Sequence, residues 1–349
     1  MIPYLCCLLP VLVASICSYN SINVTSLEYR KKVKSLWIAL IPMAFLMAFR
    51  AKSVGADTAQ YNNMYLSIHL GLEELIDERV EQGYIVFLEI ITRISANPQT
   101  QHIVISILFI CIFGYFLKNN AVSSSRFTIL FMGLNLFAFY LSGIRQAMAM
   151  MFCLCSYESI KNRKFIVFVF WIGLAYFFHT SAIFFIPAYF VVAWKPTKKT
   201  IWQYILVFFV LAIINEFLFS YAGTWFDIAY GIEETGNGYV MVVLMAIITI
   251  ISFRNIKQLL KRSAFNQFLI PLNVVHMGFW VLRLFSRTAE RPSMFYTPFT
   301  ILLIEQLILN IENSRTRFVV NAAIMMFFAA YFIYKINGAG LVPYNFSWI

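Results

Sequence analysis

Apolar runs separated by short polar breaks follow one another along almost the whole chain. A membrane-spanning helix needs about 20 largely apolar residues and tolerates about 17. Runs of that kind lie at roughly 3–19, 35–49, 102–118, 127–141, 144–160, 165–178, 181–194, 201–219, 238–253, 264–282, 293–310 and 318–335. They predict an all-α integral membrane protein with about twelve transmembrane helices, since each run approaches the length that crosses a bilayer. The runs succeed one another without a Gly/Ser linker, an internal repeat or room for a soluble domain. Residues 1–349 therefore read as one polytopic membrane domain.

One apolar stretch does not fit. Residues 83–95, GYIVFLEIITRIS, are shorter than a span and carry Glu89 and Arg93, which suits a juxtamembrane or half-inserted helix. With that assignment, parity places 28–34, 118–126, 161–164, 195–199, 253–262 and 314–317 on one side, and nearly all are rich in Lys and Arg. The positive-inside rule makes that side the cytoplasm. Facing outward are 50–101, which is the largest segment, the turns at 141–144 and 179–181, then 220–237, 283–292 and the C-terminal tail.

Composition agrees: 61% of residues are hydrophobic and 12% charged, against roughly 25% charged in soluble proteins. The formal net charge of +11 is accounted for by the basic cytoplasmic loops, and nucleic acid is not an expected partner. Cysteines show no C-x-x-C spacing, and no His/Cys cluster has metal-ligand spacing, so no metal is expected.

Outward loops hold different chemistry, mixing acids, arginines, histidine and tyrosine at the ends of apolar runs. Ionisable groups at membrane depth are expensive and mark functional sites. In FRAKSVGADTAQY (49–61), Arg50 ends a run and Asp57 and Tyr61 share a helix face. An ordinary reading also exists, with Arg50 snorkelling to the interface and Asp57 capping a helix. EQGY (81–84) puts Glu81 at a helix start, which the macrodipole favours without any function. Arg145 in YLSGIRQAMAMMF (140–152) opposes the dipole of the helix it opens, so an anionic ligand explains it better than local structure does; Gln146 adds a neutral donor. His179 lies in a break between aromatic runs, on the same side as Arg145, and either carries protons or is a hydrogen-bonded structural group. VLRLFSRTAERP (281–292) packs Arg283, Arg287 and Arg291 around Glu290. Arg283 and Arg287 are expected to share a helix face, with an anion or Glu290 as partner.

In this order and spacing, Arg50, Gly55, Asp57 and Tyr61, then EQGY, SGIRQAMA, FFHTSAI, ERPSMFYTPF and LVPYNF resemble the EpsG-like branch of Wzy-type polysaccharide polymerases. The resemblance covers nearly the whole chain. It implies a multi-span fold similar to the GT-C glycosyltransferases, with periplasmic juxtamembrane helices, in a bacterial inner membrane. It further implies a glycosyltransferase that transfers a growing glycan from undecaprenyl pyrophosphate to the next lipid-linked oligosaccharide repeat unit at the periplasmic face. Membrane lipid and a chain-length regulator are its other candidate partners.

Such a reaction needs cations for the leaving pyrophosphate, a general base for the acceptor hydroxyl and surfaces for sugars. The assignments implied are Arg145, Arg287, Arg291 and Arg50 for pyrophosphate. Asp57 leads for the base, followed by His179 and Glu81. Tyr61, Tyr84, Gln146, Tyr344 and Trp225 are candidates for sugar. No cofactor is called for, because the pyrophosphate arrives on its lipid. A transporter or flippase of lipid-linked oligosaccharide would place polar groups along a two-sided path, and an O-antigen ligase would carry a long late outward loop. Neither pattern is evident.

Overall fold

The computed structural model describes residues 1–17, 26–197, 199–213 and 238–348. The end of the 201–219 run with Glu216, and the 220–237 loop with Trp225, Asp227, Glu233 and Glu234, lie outside the described residues. The described residues are helical and form no strands. Contacts divide the chain into two units.

The first unit comprises Met1–Cys155, Phe177–His179 and Ile311–Ile349. Its helices are α1 (Ile2–Cys17), α2 (Ser26–Ala48), α3 (Thr58–His69), α4 (Gln82–Thr92), α5 (Gln99–Asn120), α6 (Ser124–Gly133), α7 (Leu136–Ser142) and α8 (Ile144–Cys155). The second unit takes Ser156–Tyr176 and Thr180–Asn310. It holds α9 (Tyr157–Lys161), most of α10 (Phe165–Phe178), α11 (Pro187–Val191), α12 (Thr200–Ile213), α13 (Tyr239–Arg254), α14 (Ile256–Arg262), α15 (Asn266–Arg283), α16 (Glu290–Met294) and α17 (Thr297–Leu309). A last helix, α18 (Ser314–Ile336), belongs to the first unit.

In the first unit α2 packs on α5, and α6 packs on α1, α2 and α18. The core is aromatic: Phe109, Phe113, Phe131 and Tyr140 meet with ring centroids 4.5–6.2 Å apart, mostly edge to face, the arrangement that ring quadrupoles favour. In the second unit α15 is central, packed against α11, α12, α13 and α17.

Among the described residues two helices, α5 and α18, are long and apolar enough to cross a membrane, and the number rises to five if each bent pair counts as one span. Several runs that read as continuous spans are broken. The 127–141 run bends by 67° between α6 and α7, where Asn135 adopts a left-handed φ of 65°, a conformation whose cost Asn bears better than most residues. The 144–160 run divides at Ser156, between α8 and α9. The 181–194 run starts as a 3-10 segment, Thr180–Phe185, before Pro187 opens the short α11. The 293–310 run breaks before α17, whose first turn contains Pro298, a residue pre-set for a helix start because it needs no amide partner there. Apolar composition reports burial in lipid or protein, and these breaks depend on single residues. Most of residues 83–95 belong to the separate 11-residue helix α4, Gln82–Thr92, short as their sequence suggests.

Two glycines set the geometry that matters for chemistry. Gly55 has φ +96°, and a Cβ there would lie 2.3 Å from Leu141 O. The loop before α3 can therefore lie directly on the end of α7, where Ala56 N–H donates to Ser142 Oγ (3.2 Å). Gly83 does the same for α4: a Cβ would lie 2.3 Å from Phe177 O, so α4 seats its backbone against the end of α10. Chain segments far apart in sequence are thereby brought to one place.

Candidate functional site

Glu81 stands at the N-cap position of α4, yet its side chain makes no capping bond. It reaches sideways instead. Oε2 accepts from Arg145 Nη1, and Oε1 lies 2.6 Å from His179 Nδ1. The three side chains are 10–23% exposed, sheltered from water but still reachable. Burial alone would raise the Glu81 carboxyl, but the hydrogen bond and charge of His179 together with the charge of Arg145 outweigh it and hold the pKa at about 2. At neutral pH Glu81 is ionised and can only accept hydrogen bonds, so the shared proton sits on His179 Nδ1. In neutral His179 the lone pair is then on Nε2.

This cluster revises the reading of Arg145. Its position at the start of α8 does oppose the helix dipole, but the compensating anion is Glu81, from within the chain. Tyr61 lies close enough to the Arg145 guanidinium to interact with its charge. Arg145, Glu81, His179 and Tyr61 thus form one connected group inside the first unit. Asp57, the first choice for the base, is half-buried at the N-cap position of α3 and makes no side-chain cap bond. It acts on Tyr61 by charge, while the direct contacts to His179 and Arg145 come from Glu81.

The remaining first-unit candidates, Arg50, Tyr84, Gln146 and Tyr344, are all buried. Arg50 is 2% exposed. Its Nη1 donates to Met47 O and its Nε lies 3.4 Å from the Thr58 hydroxyl, so it braces the loop before α3 rather than facing outward. Tyr84 is fully buried, donates its hydroxyl to Gln101 Oε1 (2.7 Å), and meets the Tyr61 ring edge to face at 5.5 Å. Tyr344 is buried too, with its hydroxyl on Leu46 O (2.8 Å). Both rings therefore pack inside the unit instead of presenting a face for sugars. Gln146 is buried on α8. In the second unit Arg283 Nε donates to Glu290 Oε2 (3.0 Å). Helix α15 ends at Arg283, so Arg287 does not continue its face: it opens a 3-10 turn, Arg287–Ala289, and Arg291 lies on α16.

The structure adds residues that the sequence did not single out. Gln101 Nε2 donates to Tyr61 O (3.2 Å) and Asn62 Oδ1 (3.1 Å), and Asn62 Oδ1 is 2.8 Å from His102 Nε2. This buried network clips α3 and α4 to the first turn of α5. The signal for it was a polar patch, TQH, at the start of an apolar run. In the second unit His276 is fully buried, with Nδ1 2.7 Å from Thr300 Oγ1 and Nε2 accepting from Trp280 Nε1 (3.0 Å). Thr300 continues to Asn273, and Asn273 to Thr249, so one polar chain joins α13, α15 and α17. Among the described residues no three His, Cys, Asp or Glu side chains converge where a metal ion could sit.

Comparison with curated proteins and with solved structures gave no match. A protein-family model, described as EpsG family, matches residues 34–346 and so takes in every residue of the cluster. The chain belongs to the EpsG family, a family of Wzy-like polysaccharide polymerase-related membrane proteins.

Proposed function

We propose that this chain is a polysaccharide polymerase that joins undecaprenyl-pyrophosphate-linked oligosaccharide repeat units by glycosyl transfer at the periplasmic face of a bacterial inner membrane. The observation that carries the reading is the Glu81-held pair of Arg145 and His179. It sits on three segments that the charge pattern of the loops assigns to the same, non-cytoplasmic side. About twelve spans, a single functional membrane domain and a GT-C-like arrangement belong to the same proposal.

The chemistry follows from the cluster. A carboxylate that fixes the tautomer of a histidine leaves the opposite ring nitrogen as a base. His179 Nε2 takes the proton of the acceptor hydroxyl as that oxygen bonds to the anomeric carbon of the donor glycan. The bond from that carbon to the pyrophosphate oxygen breaks, and the diphosphate leaves on its lipid with the bonding electrons. The neutral Arg145–Glu81 pair then carries a protonated His179, so the cluster gains a positive charge as negative charge develops on the leaving group. Electrostatic stabilisation of that kind is large in a sheltered site. Arg145 is the first phosphate-binding candidate; Arg287 and Arg291 are further ones, and Arg50 is a brace. His179 replaces Asp57 as the preferred base, and Tyr61, which interacts with the charge of Arg145, is the preferred aromatic group for the sugar.

Purified protein incubated with lipid-linked repeat units should yield a ladder of products, and His179→Gln should abolish it in protein that is still folded. Asp57→Asn should retain most of it. A full ladder from His179→Gln would remove the base assignment; no ladder from wild-type protein would favour a flippase or ligase.

A further inference from the structure

Gln101, in the first turn of α5, is fully buried and uses both ends of its amide. Oε1 accepts from the Tyr84 hydroxyl (2.7 Å), and Nε2 donates to Tyr61 O (3.2 Å) and Asn62 Oδ1 (3.1 Å). One donor and two acceptors therefore surround the side chain, which is the complement of an amide. A carboxylate would offer no donor to α3, and an ammonium no acceptor to Tyr84. His102 Nε2 gives Asn62 Oδ1 its second donor (2.8 Å).

Where these partners sit gives the arrangement its meaning. Tyr61 lies on α3 and interacts with the charge of Arg145. Tyr84 lies on α4, and its backbone N–H donates to Glu81 O (3.0 Å). Glu81 in turn receives Arg145 and His179 on its carboxylate. The chain between α3 and α4 lends Glu81 little support, because residues 70–75 and 77–79 are exposed. The rings of Tyr61 and Tyr84 meet edge to face at 5.5 Å, and Gln101 fastens both residues to α5. Its own bonds go to neither Arg145 nor His179, so any effect on the chemistry passes through Tyr61 and Glu81.

We propose that Gln101 is a positioning residue: through Tyr84 it sets the height of Glu81, and through the α3 backbone that of Tyr61, against Arg145. The inference rests on the polymerase reading for its effect on rate. The test uses full-length purified protein and two measurements, the initial rate of ladder formation at saturating donor and the melting temperature. Gln101→Met keeps the length of the side chain and removes all three bonds. It should lower the rate about tenfold or more, within the range that a displacement of about 1 Å can cost. In the Gln101→Met background, Glu81→Gln should cost less than half the rate and less than half the melting temperature that it costs in wild type, because residues acting as one unit are not additive.

Asn321→Leu is the control. It removes another buried amide of the first unit, whose Nδ2 donates to Ser15 O (3.1 Å). It should lower the melting temperature, leave the rate of folded protein unchanged, and leave both Glu81→Gln losses at full size. If Gln101→Met is not recovered folded, Tyr84→Phe removes one of its bonds while keeping the ring, and the same comparison is made there. Full-sized Glu81→Gln losses in the Gln101→Met or Tyr84→Phe protein overturn the positioning role while the polymerase reading stands. A reduced Glu81→Gln melting loss, with no ladder from wild-type protein, sustains the positioning of Glu81 and overturns the polymerase.

Discussion

Replacing Glu81 by glutamine tests the site most directly, because the two side chains have the same shape and differ in what they can accept. The carboxylate receives Arg145 on one oxygen and the His179 Nδ1 proton on the other. An amide has a single oxygen. If that oxygen faces Arg145, the amide NH2 points at His179, which can meet it only by moving its proton to Nε2. The lone pair that the reaction requires is then lost. If the oxygen faces His179 instead, two donors oppose each other at Arg145. Losing a charged hydrogen bond in a largely sheltered site costs about 2–3 kcal/mol, which a folded membrane protein tolerates. The loss of base function should be larger in its effect, about 10²–10⁴-fold in rate. The assay is the initial rate of ladder formation by purified Glu81→Gln protein, with thermal unfolding followed in parallel. A variant that unfolds normally and polymerises within about threefold of wild type, far short of the factor a lost base implies, would refute the orienting role of Glu81.

Three further outcomes are expected. The Glu81 pKa falls from 4.5 to about 2 on folding; a depressed carboxylate contributes stability that is fully present above the unfolded value and lost as pH falls from about 4.5 through about 2. The contribution is of order 3 kcal/mol, so wild-type protein should lose more stability than Glu81→Gln across that window; parallel pH profiles would contradict the pairing. Gly83→Ala should cost about 1–3 kcal/mol and sharply reduce polymerisation, since the new methyl meets the Phe177 carbonyl beside His179; near-normal activity would show that the close approach is dispensable. In a cysteine-free background, Thr180→Cys should react with a membrane-impermeant reagent from outside and Asn162→Cys only from inside; the opposite result would reverse the orientation.

Much of this arrangement can be read from single residues in the sequence, and the part that cannot has a physical cause. Arg145 stands out because it works against its own helix, and His179 because loop parity places it on the same side. Glu81 looks like an unremarkable helix-start acid, since an acid there is favourable anyway; only the approach of α4 to the end of α10 shows that its charge is used across the chain. The tyrosines mislead for a related reason. Aromatic residues near an interface are common, and sequence does not say which are turned inward, as Tyr84 and Tyr344 are. Gln101 and His102 are hidden because they open an apolar run, where a polar first turn reads as the edge of a span. Helical character follows from composition, whereas breaks such as that at Asn135 hinge on local backbone conformation.

The C-terminal tail has a consequence for biosynthesis. Asn345 O accepts from Ala51 N–H, Gly340 O from Gly55 N–H, and Ser347 N–H donates to Phe49 O, while Tyr344 and Leu46, joined by a hydrogen bond, are 298 positions apart. The loop that carries Arg50 and Gly55 is thus translated early but receives these backbone partners only once residues 340–347 have been made. Until then it must wait with those groups open, and a chain cut at residue 339 would retain every member of the Arg145 cluster yet leave this loop unfinished.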